Sequence, residues 1–103
     1  MKILSWNVRG LGRPSKRHFV KEFISSSRAD ILCLQESKLQ EIHNSTWKSI
    51  GGSRLNFFDF IPANGSAGGI ILAWDSSQVS GTLLHKGSFS ITLEFTNQSD
   101  NTT

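Results

Sequence analysis

Lys2-Ile3-Leu4-Ser5-Trp6-Asn7 and Ile31-Leu32-Cys33-Leu34-Gln35-Glu36 are the two stretches whose reading decides the fold. Each is an apolar run about one strand long that ends on a polar residue. One helix-length segment lies between them, so the unit reads β-α-β. Right-handed crossovers make such strands parallel and commonly adjacent. In α/β sheets, ligand sites lie at the carboxyl ends of the strands. An amide, Asn7, and a carboxylate, Glu36, stand at those two ends.

Outward from this unit, Arg9-Gly10-Leu11-Gly12-Arg13-Pro14 reads as a loop, with Pro14 suited to a helix start and Ser15 a candidate N-cap. Phe19, Val20, Phe23 and Ile24 share one helical face. Ser25-Ser26-Ser27 ends that helix by offering the backbone competing hydrogen bonds. After Glu36, the weak period of Leu39, Ile42, Thr46 and Ile50 predicts a short helix or an irregular segment. Asn56 to Ile61 reads as a third strand. Gly69 to Asp75 reads as a fourth, apolar throughout and expected to be buried on both faces. Val79 to Leu84 and Ser88 to Thr96 read as a hairpin with Lys86-Gly87 near its turn. In its second arm Phe89, Ile91, Leu93 and Phe95 alternate with polar residues. The expected class is α+β: one β-α-β unit, then mostly antiparallel strands. Residues 1–96 form the folded unit and 97–103 a polar tail.

The chain has 103 residues, enough for one small core. Its 37% hydrophobic and 18% charged content fits neither a disordered chain nor a membrane protein. No apolar run approaches the roughly 20 residues of a membrane span. The N-terminus lacks the pattern of a signal peptide, which makes a cytosolic or nuclear site the default. The single cysteine, Cys33, excludes an internal disulfide and reads as a small core residue. Net charge is +3, unevenly spread. Residues 1–28 carry seven basic groups and one acid, Glu22, while the rest carries four basic and seven acidic groups. A basic first quarter suits a polyanion such as DNA, or simply a solvated helix.

Glu36 follows a run of apolar residues, and a carboxylate so placed either binds a metal or caps the next turn. Magnesium needs only one or two carboxylates, with water and phosphate oxygens completing its shell. Asn7 could hydrogen-bond Glu36, orient a phosphate or metal water, or merely close the strand. Lys38, Arg9, Arg13 and Lys16 could meet phosphates. Gly68-Gly69 allows either close approach of a substrate or a bend at the strand entry. His18, His43 and His85 show no ligand spacing, and Trp6 and Trp74 fall within apolar runs that suit core packing.

Three segments together carry a resemblance. Met1 to Gly12, with Trp6-Asn7-Val8-Arg9-Gly10-Leu11-Gly12, resembles the opening motif of the endonuclease/exonuclease/phosphatase superfamily. Leu32-Cys33-Leu34-Gln35-Glu36-Ser37-Lys38 resembles its second motif, and Ala67-Gly68-Gly69-Ile70-Ile71-Leu72 its third segment. The first motif looks most like the N-terminal endonuclease domain of plant non-LTR retrotransposons. The resemblance implies a four-layered α/β sandwich and metal-assisted phosphodiester hydrolysis, with Mg2+ as the cofactor (Mn2+ as a substitute) and DNA as the partner. By matching position it makes Glu36 the metal ligand, Asn7 a phosphate-side catalytic residue, and Arg9 and Lys38 substrate contacts. Arg9 stands where repair-type members often carry an acid. Later family motifs, including a closing Asp-His pair, are expected beyond Thr103. The chain therefore reads as the N-terminal half of the domain, inactive or nearly so alone. Its alternatives are a non-catalytic nucleic-acid-binding remnant, a product without a stable fold, or another phosphoesterase of the same superfamily.

Overall fold

The computed structural model describes residues 2–65, 67–86 and 91–97, with side chains described as far as Val79. Its elements run β1 (Ile3–Asn7), α1 (Pro14–Ser27), β2 (Ile31–Gln35), α2 (Asn44–Gly51), β3 (Phe57–Ile61), β4 (Ile70–Trp74), β5 (Val79–Lys86) and β6 (Ile91–Asn97). The α+β class is the one expected. The first four strands form one sheet in the order β1-β2-β4-β3, and β5 and β6 form a separate two-stranded sheet. β1 and β2 pair in parallel, with Ile3 opposite Ile31 and Asn7 opposite Gln35. β4 pairs antiparallel with β2 on one side and with β3 on the other.

The register assigns the two sheet faces. Leu4, Trp6, Leu32, Leu34, Ile71, Ala73, Phe58 and Phe60 share one face. That face packs with Val20 and Ile24 of α1 and Trp47 and Ile50 of α2 into the main core. The opposite face carries Ile3, Cys33, Leu72 and Phe57. Ile3 is 65% exposed and Phe57 54% exposed, while Cys33 and Leu72 are half-buried. β4 is therefore wholly buried along its helix side, while on the other face Trp74 is buried and Ile70 and Leu72 are half-buried, and Cys33 is only partly buried. A continuous apolar strand signals burial without saying that both sides are covered equally. Where Ile31, Trp74 and Val79 meet, a small second cluster forms on the open face.

Local chemistry sets the helix ends differently from expectation. Arg13, not Ser15, holds the N-cap position of α1, because Pro14 begins the helix and fixes its backbone there. The serines at the other end act as expected: Ser26 Oγ donates to Phe23 O at 3.0 Å and Ser27 Oγ to Ile24 O at 2.8 Å. Phe19 and Phe23 share the helical face with Val20 and Ile24 but remain 57% and 45% exposed. They cover Trp6 at the sheet edge, with ring centroids 6.2 and 4.8 Å away. In α2 the inward residues are Trp47 and Ile50, not Thr46, which is half-buried. Buried Trp47 Nε1 donates to Leu55 O at 2.7 Å, and its ring lies against Gly51 so closely that any Cβ there would collide with it.

The hairpin forms as β5 and β6, antiparallel, with a register shift between Leu83 and His85. Gly87, Phe89 and the alternating side chains of the second arm lie outside the described residues, as does the tail from Gln98. No helix among the described residues is long and apolar enough to cross a membrane.

The sheet end remote from Asn7 is tied by Asp75. Its carboxylate accepts from Ser77 Oγ at 2.6 Å and Ser77 N at 3.0 Å, and lies 3.6 Å from Arg54 Nη1. Arg54 Nη2 also donates to Ala29 O at 2.7 Å. The Ser77 hydroxyl, foremost, and the Arg54 charge together hold the Asp75 carboxyl below the ordinary carboxylate value, against the opposing effect of burial. A group with a depressed folded-state pKa adds stability above its unfolded value and loses it as the pH falls through the folded one. The thermal stability of the wild-type chain is expected to fall as the pH drops through the ordinary carboxylate range. Asp75→Asn is expected to be less stable at neutral pH and to show a flatter acid decline.

Candidate active site at the carboxyl ends of β1 and β2

β1 stops at Asn7 and β2 at Gln35, but the backbone ladder continues beyond both strands. Val8 N donates to Gln35 O at 3.0 Å, Gly10 N to Glu36 O at 2.7 Å, and Leu11 N to Ser37 O at 2.9 Å. On the other flank, Ser37 N donates to Gly69 O at 3.1 Å and Lys38 N to Gly68 O at 2.8 Å. Residues 36–38 are thus bonded on both sides, to the loop after β1 and to the entry of β4. The three segments singled out in the sequence meet here. Buried Val8 and Leu11 anchor the first loop, and Arg17 Nε of α1 donates to Leu11 O at 2.6 Å.

This seam bends the chain sharply. Arg9, Glu36 and Lys38 adopt left-handed φ values of 55°, 55° and 58°. Such a conformation costs a non-glycine residue about 1–2 kcal/mol. Left-handed non-glycine residues cluster at functional sites, where the surroundings hold them in place.

The Asn7 side chain joins the two strand ends directly. Its Oδ1 accepts from Arg9 N at 3.2 Å, which orients the amide so that Nδ2 donates to Glu36 Oε2. Both side chains are exposed. Exposure corrects the reasoning that marked Glu36: β2 ends one residue earlier, and the carboxylate turns outward rather than lying buried at the strand end. What distinguishes Glu36 is its left-handed backbone and its bond to Asn7. That bond engages Oε2 and not Oε1.

Lys38 is exposed, and its stem crosses over Gly10: Cδ lies 3.4 Å from where a Gly10 Cβ would stand. Arg9, Gly10, Gly12, Arg13 and Lys16 line a neighbouring concavity. Arg9 in the first loop and Lys38 over Gly10 therefore both bring a basic side chain to this loop. His18 and His43 sit elsewhere, 3.7 Å from Glu22 and 3.6 Å from Glu41 respectively. His85 is on β5, with its side chain outside the described region. Among the described residues, no three His, Cys, Asp or Glu side chains converge as a metal cluster. A lone carboxylate with open solvent before it still fits an ion such as Mg2+, which takes most of its ligands from water and phosphate.

Gly68-Gly69 is a bend, with both carbonyls engaged by residues 37 and 38. At Gly69, φ is +95°, and an added Cβ would collide with Ser37 Oγ and stand 3.1 Å from Lys38 N. Sequence reasoning assigned nothing to Ser37, which is completely buried. The available signal was an uncharged small residue set between two charged ones at a strand end.

The profile of the Endonuclease/Exonuclease/phosphatase family matches residues 4–96, and the chain belongs to that family. Among its relatives is the DNA-(apurinic or apyrimidinic site) endonuclease 2 of Schizosaccharomyces pombe, 40% identical over 47 residues, covering 40% of this chain and 9% of that protein. The exodeoxyribonuclease of Bacillus subtilis is 42% identical over 41 residues, covering 40% of this chain and 16% of that protein. The catalytic domain of Xenopus laevis APE2 superposes with a TM-score of 0.59 at 26% identity, over 82% of this chain and 26% of that one. The Leishmania major AP endonuclease LMAP shares the fold, with a TM-score of 0.57 at 22% identity over 84% of this chain and 31% of that one. The chain thus corresponds to a minor part of each relative's length.

The double requirement at Gly69 gives a direct test. Gly69→Ala is expected to lower the thermal midpoint by about 5 °C or more, since each kcal/mol shifts a domain of this size by about 4–8 °C. Gly12→Ala, where nothing lies within 4 Å of the added Cβ, is expected to leave it nearly unchanged. Equal midpoints for the two variants in a melting experiment would contradict the packing described.

Proposed function

We propose that residues 1–96 are the N-terminal half of a divalent-metal phosphodiesterase domain that acts on DNA, with 97–103 a polar tail. The observation that carries this reading is the Asn7–Glu36 hydrogen bond across the carboxyl ends of two parallel strands, in a chain of this family. DNA as substrate draws on the names of the two curated relatives, an endonuclease and an exodeoxyribonuclease.

In this reading Glu36 offers Oε1 to Mg2+, with Mn2+ as a substitute. The ion supplies charge neutralisation at the phosphate and a more acidic bound water. Asn7 fixes the carboxylate through Oε2 and faces the phosphate. Arg9 and Lys38 bring positive charge to the substrate at the first loop, and a guanidinium matches phosphate geometry well. Arg9 in place of an acid, with the wording of the first motif, favours a retroelement endonuclease over a repair enzyme.

On its own the 103-residue chain is proposed to be inactive or nearly so. Among the described residues Glu36 belongs to no group of three or more His, Cys, Asp or Glu side chains that could hold a metal. Loss of a general acid or base typically costs a factor of about 10²–10⁴. Plasmid nicking with Mg2+ is expected to stay at the level of the protein-free control. Robust nicking that vanishes in Glu36→Ala would overturn the inactivity while upholding the role of Glu36.

A second reading, non-catalytic nucleic-acid binding, is favoured by the concavity lined by Arg9, Arg13 and Lys16. Each phosphate contact contributes about −0.9 to the slope of log affinity against log salt. Arg13→Gln with Lys16→Gln is expected to make the slope shallower by about 2. Undetectable binding of labelled DNA at low salt would remove this reading.

A further inference from the structure

We infer that Ser37 is a positioning residue that holds the Glu36 carboxylate against Asn7, with Gly69 as the seat that receives its hydroxyl. The functional consequence rests on the proposed role of Glu36, while the geometry of the Asn7–Glu36 contact can be tested without it. Ser37 is wholly buried, between two exposed charged residues. All its polar groups are engaged with different parts of the chain. Its N–H donates to Gly69 O at 3.1 Å, its carbonyl accepts from Leu11 N at 2.9 Å, and its Oγ accepts from Leu39 N at 3.3 Å.

The hydroxyl occupies space that any side chain at position 69 would take, since an added Cβ there would meet Ser37 Oγ. Its bond to Leu39 N closes a two-residue hydroxyl turn of a kind that favours tight bends. The turn lies between the two left-handed residues, Glu36 and Lys38. An unconstrained chain relaxes from that conformation. Ser37 is the fixed point between the pair, clamped from β1's loop on one side and from the β4 entry on the other. A small inert filler would not need the hydroxyl. A positioning residue does, because alanine frees Leu39 N, opens a gap against Gly69 and removes the side-chain support beneath the bend that presents Glu36.

The test uses the 15N-labelled 103-residue chain and the side-chain amide signals of Asn7. Glu36→Ala sets the position of those signals when the bond is lost. Ser37→Ala is expected to move them more than halfway to that position. Ser37→Thr, which keeps the hydroxyl, is expected to return them towards the wild-type position. Ile24→Val, a core truncation, lowers the thermal midpoint without moving them, and so separates positioning from general loss of stability. Should Ser37→Ala fail to fold, Ser37→Cys takes its place, with sulfur as the poorer acceptor and the same direction of shift expected. Wild-type Asn7 signals in folded Ser37→Ala or Ser37→Cys overturn the inference.

A second measurement, Mn2+ affinity by electron paramagnetic resonance, carries it to function. Ser37→Ala is expected to weaken binding at least tenfold, and wild-type affinity in that variant overturns the functional consequence. If the wild-type chain binds no Mn2+, or Glu36→Ala binds it equally well, the metal reading of Glu36 fails and the amide signals alone decide the role of Ser37.

Discussion

Residues 36–38 are hydrogen-bonded on both flanks after β2 has ended, and the geometry of the candidate site depends on that double clamp. Four backbone bonds, from Gly10, Leu11, Ser37 and Lys38, fix three residues of chain. Two of the three are left-handed. A backbone bond contributes about 0.5–1.5 kcal/mol net, so four bonds are of the size needed to hold two strained residues at about 1–2 kcal/mol each. The two bonds of one flank contribute about 1–3 kcal/mol against about 2–4 kcal/mol for the two residues. The parallel strand on one side and the antiparallel entry of β4 on the other act together. A mixed sheet is therefore more than background here, because it presents Glu36 in a conformation that a regular strand would not.

The basic first quarter fits this arrangement. Arg9 lies in the first loop and the Lys38 stem crosses over Gly10, and Arg13 and Lys16 extend the positive surface along the start of α1. The helix places its positive end there as well, with no acidic residue in its first turn. Positive potential and a single carboxylate thus sit close together. That combination suits a polyanionic ligand that brings much of its own charge to a metal.

Much of this was legible in the sequence. The paired apolar runs gave the parallel strands, and their polar ends gave Asn7 and Glu36, because strand ends are set by local hydrophobicity. The three motifs meet in space as well as in order. Other features depend on what lies across the sheet, which periodicity does not report. Phe19 and Phe23 share the helical period of Val20 and Ile24, yet they shield Trp6 rather than enter the core. The apolar β4 has one face deeply buried and one half-open. Ser37 escaped notice because its importance lies in a contact with Gly69, 32 positions away, that no local pattern encodes.

The strand order β1-β2-β4-β3 also sets a timetable. As the chain leaves the ribosome, β1 and β2 can pair once Gln35 has emerged, and α1 can close over them. β3 then has no neighbour, since its only partner strand among the described residues is β4. Residues 36–38 are held on one flank alone until Gly68 and Gly69 arrive. Contacts of long sequence separation form late because the intervening loop must first be closed. The double clamp on Glu36 is therefore complete only once the entry of β4 has docked. A nascent chain shorter than about Trp74 carries the residues of the site without its shape.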